Sequence, residues 1–180
     1  VGFPVVVKPC SSGSSVGVGI ANSTKELSEK LGEAFVYDKT ALIEEYITGR
    51  EFTCSVLDNG KSAEPKALEV TEIIPAESHP FFNYKAKYTE GHAEHITPAK
   101  LDTIDYAKVQ TAATKAHSLI GCKGYSRTDM ILKKGTHDVY VLEINTLPGL
   151  TPTSLLPQAA QAAGLTMTQL LDHIIEASLI

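Results

Sequence analysis

Cysteine is scarce in this chain of 180 residues, and its three copies, Cys10, Cys54 and Cys122, are odd in number and widely spaced. No C-x-x-C pair occurs, which leaves neither a disulfide framework nor a zinc knuckle. A reducing, cytoplasmic setting is the expectation that follows. No run approaches the roughly 20 apolar residues that span a bilayer. No signal peptide is visible either, so no membrane partner is expected. Positive charge is not in excess: the formal net charge is −5. That balance argues against a general nucleic-acid binder and leaves room only for a local basic pocket. Internal repeats and low-complexity tracts are absent. So are the Walker A pattern (G-x-x-x-x-G-K before Ser or Thr) and H-E-x-x-H. The chain opens at Val1, without a methionine and almost directly into a strand. It reads as a piece of a longer protein.

What is present alternates between strands and helices. Phe3 to Lys8 reads as a buried strand, Cys10 to Ser15 as a small-residue loop, and Val16 to Ile20 as a returning strand. Ser23-Thr-Lys-Glu26 is a capping box opening a helix to about Tyr37, with Leu27, Leu31, Ala34 and Phe35 as its apolar stripe. Ala41 to Tyr46 is a strand, Thr48-Gly-Arg50 a turn, Glu51 to Leu57 a strand, Asp58-Asn-Gly60 a turn and Leu68 to Ile74 a strand. Pro75 to Pro98 is long, rich in proline, histidine and aromatics, and without period; such a loop in a compact domain is functional or disordered. Leu101 to Ile120 is a helix closed by Gly121. Two short helices follow, from Ser154 to Ala163 and from Thr166, where Thr-x-x-Gln169 is again a capping box. Hairpins among these elements give an α+β fold with a mixed or antiparallel sheet.

The most informative stretch is Val139 to Thr153. Glu143 and Asn145 lie two apart in a strand and point to one face. Ser126 to Leu132 offers Arg127 and Asp129 with the same alternation, and Lys133 to Asp138 reads as the turn between. Paired antiparallel, the strands bring Asp129, Glu143 and Asn145 together with Arg127 beside them. Three oxygen donors without a thiolate suit a hard cation such as Mg²⁺, and a cluster of like charge is destabilising without one. The arginine suits a phosphate or carboxylate.

Four further constellations are weaker in isolation. Lys8 follows Val5-Val-Val7 and precedes Ser11-Ser-Gly-Ser-Ser-Val-Gly-Val-Gly19, a loop able to cradle phosphate with its N–H groups; taken alone, it reads sooner as a solvated strand end with a flexible turn. Glu44, Glu45 and Glu51 form either a solvated edge or the acceptors beside a nucleotide. Phe81 to Tyr88 is either an aromatic loop packed on the domain or a site: an aromatic stacked on a base, Lys87 on a phosphate, Tyr88 lining a small pocket. His92 and His95 lack metal-site spacing and read as solvent-exposed. In Pro148 to Leu155, Gly149 permits close backbone approach. Ser154 is placed to cap a helix whose N–H groups would welcome a carboxylate.

In order along the chain, V-V-V-K-P with G-S-S-V-G, L-I-E-E-Y-I-x-G-R-E-F, Y-K-A-K-Y, G-C-K-G-Y-S-R-T-D and L-E-I-N-T-L-P-G-L-T-P-T-S resemble the ATP-grasp ligases. Within them the match is to the D-alanine–D-alanine ligase family, over essentially the whole chain and in its C-terminal, ATP-binding portion. The resemblance implies an ATP-grasp fold of two lobes with largely antiparallel sheets holding ATP between them. Residues 1–47 would form the small lobe and 48–180 the large one, with the family's N-terminal substrate domain absent.

The resemblance also implies roles. Lys8 and Lys87 contact phosphates, with Ser14 and Ser15 in a loop closing over them. Glu44, Glu45 and Ile47 surround adenine, Glu51 holds ribose and Phe81 lies near the base. Asp129, Glu143 and Asn145 are the ligands of two Mg²⁺ ions, or of Mn²⁺. Arg127 and the Gly149 amide stabilise an oxyanion, with Ser14 and Tyr88 among the catalytic groups. Ser154 and Leu155 touch the second substrate's carboxylate. The implied reaction joins two D-alanines through an acyl phosphate, for peptidoglycan synthesis. A homodimer formed partly through regions outside this chain is implied as well. The alternatives are a D-alanine–D-lactate ligase or another carboxylate ligase of the same fold, and a nucleotide-binding fragment inactive without its missing domain. Lys87-Tyr88 favours the dipeptide ligase. Cys10 stands where the family pattern would place a serine or asparagine.

Overall fold

A computed structural model describes residues 1–13, 15–59, 64–75 and 93–179 of the chain. Two units can be distinguished, Val1–Ile47 with Pro75–Glu94 and Thr48–Ile74 with His95–Ile180. Among the described residues no helix is long and apolar enough to cross a membrane.

The first unit is a three-stranded antiparallel sheet covered on one side by a helix. Strand β1 (Val5–Pro9) lies between β2 (Gly19–Ala21) and β3 (Ala41–Glu45), and α1 spans Thr24–Ala34. Alternation sends Val5 and Val7 towards α1, where they pack with Ala21, Ala34, Leu27 and Leu31. Val6 and Lys8 take the opposite face. The strand begins at Val5 rather than Phe3, because Pro4 has no N–H to enter a ladder. The returning strand is shorter than its sequence suggests. The chain first turns through Ser15 and Gly17, with left-handed φ of 58° and 72°. At Gly17 a Cβ would lie 2.7 Å from Tyr37 and 2.8 Å from Pro9. Ser23 caps α1, accepting from Glu26 N, but the Glu26 carboxylate turns back to Asn22 N at 3.0 Å, so the box is incomplete. Phe35 is not part of the buried stripe; it sits at the C-cap, 53% exposed.

The second unit is a five-stranded sheet in the order β6-β5-β4-β7-β8. Its strands are β4 (Gly49–Leu57), β5 (Lys66–Pro75), β6 (Ala93–Ile96), β7 (Tyr125–Lys133) and β8 (Val139–Asn145). β4 pairs antiparallel with β5 and β7, and β7 with β8. The expected turn at Thr48-Gly-Arg50 is instead the start of β4: Gly49 lies opposite Lys133, and Lys134 N donates to Thr48 O at 2.9 Å. β6 arises within the segment read as an aperiodic loop, since four residues are too few to reveal alternation.

Helix α2 (Thr103–Leu119) covers one face of this sheet. Val109 and Ala113 meet Phe52, Cys54, Val56, Val70, Met130 and Leu132 there, all buried. Each of the Val, Leu, Phe and Met side chains among them contributes about 1.5–3 kcal/mol when fully buried. Asp102 caps α2 by accepting from Asp105 N at 2.8 Å, and Gly121 leaves it with φ of 72°. A second cluster joins Leu57 and Leu68 to α3 (Leu155–Ala162) and α4 (Met167–Ser178) through Leu156, Ala159, Ala160 and Leu170. Thr166 and Gln169 complete the capping box of α4. Glu72, only 7% exposed, is held by Arg50 through two bonds of 2.7 Å, Nε to Oε1 and Nη2 to Oε2. Burial of that carboxylate requires such a partner.

Candidate active site

The sheet's other face is polar although its centre is buried. On β4 the residues pointing away from α2 are Glu51, Thr53 and Ser55. Thr53 and Ser55 are each 2% exposed. Thr53 lies opposite Thr71 on β5 and opposite Asp129 on β7. Its hydroxyl donates to Asp129 Oδ1 at 2.7 Å and lies 3.2 Å from Thr128 O. Thr71 and Thr97 share a hydroxyl–hydroxyl bond of 2.7 Å. A row of hydroxyls thus runs across the strands towards one carboxylate.

That carboxylate meets the residues singled out in the sequence. In β7 the alternate residues Ser126, Thr128, Met130 and Leu132 are buried, while Arg127 and Asp129 take the other side. Arg127 lies opposite Asn145, and Asp129 opposite Glu143. The guanidinium grips its strand neighbour in a fork: Nε donates to Asp129 Oδ1 and Nη2 to Oδ2, each at 2.9 Å. Asn145 Oδ1 accepts from Leu147 N at 3.0 Å, which starts the turn into the loop that follows. The pairing of β7 with β8 shifts between Asp129 and Met130, because Met130 faces Val141 and Leu142 has no partner. This bulge brings Glu143 and Asn145, rather than Leu142 and Ile144, opposite the charged pair. Asp129, Glu143 and Asn145 offer carboxylate and amide oxygens from adjacent strands, a donor set that fits a hard divalent cation.

Downstream, Gly149 and Ser154 are close neighbours. A Cβ at Gly149 would lie 2.8 Å from Ser154 Oγ. Ser154 occupies the N-cap of α3 without a capping side-chain bond. Its hydroxyl instead accepts from Thr151 N at 3.2 Å and lies 2.7 Å from Thr151 Oγ1. The expected cap therefore serves to fold the loop. Leu155, half-buried, begins α3.

In the first unit Lys8 forms an ion pair with Glu44. Val6 lies opposite Glu44 and Lys8 opposite Leu42, so the two are diagonal neighbours on the face away from α1. Glu45 follows Glu44 in the strand and so points to the other face. Ile47 is half-buried just beyond β3, and Glu51 is half-buried on β4. Ser15 lies in the left-handed turn after β1. Ser14, Phe81, Lys87, Tyr88 and His92 lie outside the described residues.

Three features were not foreseen. Thr53 orients Asp129, which no local pattern reveals, because the two meet only through the register of β4 with β7. His95 is half-buried rather than solvent-exposed, and burial, assisted by the charge of Arg127, holds its imidazole below the usual histidine range. Asp102, Asp105 and His137 bring their ligand atoms within 4.8 Å of one another, with His137 Nδ1 2.7 Å from Asp105 Oδ1. The capping pattern Asp102-x-x-Asp105 is visible in sequence, but its histidine arrives from the β7–β8 turn. This group is distinct from Asp129, Glu143 and Asn145.

Comparison with known proteins gives a consistent picture. The family model described as "D-ala D-ala ligase C-terminus" matches residues 1–176. The chain is similar to the D-alanine–D-alanine ligase of Syntrophobacter fumaroxidans, 48% identical over 178 residues, covering 99% of this chain and 56% of that protein. It is also similar to the crystal structure of the D-alanine–D-alanine ligase from Bacillus anthracis, with a TM-score of 0.81 and 39% identity. The complex of that enzyme with ATP gives a TM-score of 0.78, again at 39% identity. Both alignments cover 99% of this chain and 54% of the other. The chain thus spans about half the length of the relatives it matches.

Proposed function

The chain belongs to the D-alanine–D-alanine ligase C-terminal family, and from that premise we propose that it is the ATP- and metal-handling portion of an enzyme joining two D-alanines. In this reading ATP phosphorylates the carboxylate of the first D-alanine. The amine of the second attacks the acyl phosphate, and phosphate leaves the tetrahedral intermediate. The observation that carries the reading is the register of β7 with β8, which sets Arg127 against Asn145 and Asp129 against Glu143.

Each residue has a physical task. Lys8 and Lys87 neutralise charge on the phosphates, with Ser14 and Ser15 beside them. Glu44, Glu45, Ile47 and Phe81 surround the base, and Glu51 accepts from ribose hydroxyls. Asp129, Glu143 and Asn145 would hold Mg²⁺, whose chemistry is to spread the charge of the transferred phosphoryl group. Thr53 fixes Asp129 for that purpose. Arg127, on the polar face beside Asp129, and the Gly149 amide stabilise the oxyanion. Tyr88 lines the pocket, while Ser154 and Leu155 meet the second carboxylate. Residues 1–47 serve the nucleotide and residues 48–180 the metal and amino-acid substrates. The ATP complex of the Bacillus anthracis relative supports the nucleotide part of this reading. The product would enter peptidoglycan synthesis in the cytoplasm, which agrees with three free cysteines. A homodimer is part of the same reading.

The test is calorimetric binding of a non-hydrolysable ATP analogue, with and without Mg²⁺, to the chain and to Glu143→Gln. Mg²⁺-dependent binding that the substitution weakens at least tenfold is the expected result. Equal binding by both folded proteins in Mg²⁺ would refute the metal assignment.

A further inference from the structure

Lys8 carries an internal carboxylate where an anionic ligand would have to bind. Its ammonium is paired with Glu44, and the two side chains are 26% and 35% exposed. The pairing follows from the sheet. Val5 and Val7 are committed to the α1 core, so Lys8 must take the other face. Glu44, opposite Val6, is placed diagonally to it on that same face. Half-withdrawn from water, the pair is less screened than a surface ion pair.

We propose that Glu44 is a specificity-determining residue acting through Lys8: it competes with every phosphate ligand for the ammonium, and so selects against polyphosphates that carry no base. This deepens the nucleotide reading above and rests on it. A bare polyphosphate must share the ammonium with the carboxylate or displace it, and it gives the carboxylate no new donor. A nucleotide whose base carries an amino group offers the displaced carboxylate a hydrogen bond in return. The same residue therefore opposes phosphate alone and tolerates phosphate joined to such a base. Loss of the carboxylate should release Lys8 for any polyanion.

The experiment compares inorganic tripolyphosphate and ATP, both with Mg²⁺, by calorimetry. The proteins are the wild-type chain, Glu44→Gln, Lys8→Gln and the double variant, each checked for folding by circular dichroism. Glutamine keeps the size of Glu44 and removes its charge. Glu44→Gln should bind tripolyphosphate about two- to fivefold more tightly than wild type, as expected for release of a partly exposed ion pair. The gain should be smaller for ATP and should vanish in the Lys8→Gln background. Unchanged or weaker tripolyphosphate binding by Glu44→Gln, with Lys8→Gln still impaired, overturns the competition but leaves Lys8 as a phosphate contact. If Lys8→Gln binds both ligands like wild type, or if neither ligand binds any of the folded proteins in the millimolar range, the phosphate role of Lys8 falls and the inference with it.

Discussion

Replacing Gly49 by alanine should destabilise the second unit severely, although the residue is exposed. Gly49 opens β4 opposite Lys133. A Cβ there would lie 2.1 Å from the Leu132 carbonyl oxygen, 2.8 Å from its carbonyl carbon and 2.6 Å from Ile131 Cγ2. Two of these atoms are backbone, so no rotamer change relieves the clash. The strands would have to part locally by about 1 Å, an overpacking that costs about 1–3 kcal/mol. Parting also stretches the 2.9 Å bond from Lys134 N to Thr48 O, worth about 1 kcal/mol more. A loss of about 2–4 kcal/mol is expected, against a total of about 5–15 kcal/mol for a typical domain. Urea unfolding followed by circular dichroism measures it. With a slope of about 1–3 kcal/mol per molar, the midpoint should fall by about 1–2 M at unchanged slope. A variant within about 0.5 kcal/mol of wild type, the range of an ordinary surface change, would refute the steric argument.

The same substitution made where there is open space should act in the opposite direction. Gly32 lies inside α1 with nothing within 4 Å of a built Cβ, so Gly32→Ala should stabilise by about 0.5–1 kcal/mol; a lower melting temperature would contradict this. A third prediction concerns pH. The His117 side chain is 1% exposed, with Nδ1 2.8 Å from Ser126 Oγ. Burial depresses its pKa, more than Asp58, 3.7 Å from Nε2, raises it. Because the unfolded chain binds the proton more readily, the histidine's contribution is full above its unfolded value and is lost as pH falls through the folded one. Stability should decline between about pH 7 and pH 5, before most carboxylates titrate. His117→Asn should flatten that decline, leaving the part due to His95, which shifts the same way. An identical pH profile for the variant would discard the assignment.

Local pattern made much of this structure readable. Alternation in Ser126 to Leu132 and Val139 to Asn145 announced two half-exposed strands, and the polar stretch between them announced their pairing, so Arg127, Asp129, Glu143 and Asn145 could be placed on one face. Helices α2 and α4 were legible from their caps. What escaped depends on contacts distant in sequence. Thr53 reaches Asp129 across 76 positions, and Lys8 meets Glu44 through the pairing of β1 with β3. The identity of Glu44's partner cannot be read from either segment alone. β6 was too short to show a period. Ser154 looked like a simple cap, yet its hydroxyl is taken by Thr151, because the loop turns back on itself before α3 begins.

The unpaired Leu142 makes residue count, rather than residue type, decisive at one place on the sheet. Continued from Leu132 and Val139 without interruption, the pairing would set Leu142 against Asp129 and Ile144 against Arg127, an apolar row beside the charged one. One inserted position reverses that phase for the rest of β8 and for the loop it feeds. Point substitutions between Val141 and Glu143 leave the phase intact. A single insertion there, with the bulge still one residue wide, would set Glu143 opposite Thr128 and turn it to the other face, while every residue of the chemistry remained present in the sequence. Inheritance of this strand should therefore constrain its length more tightly than its composition.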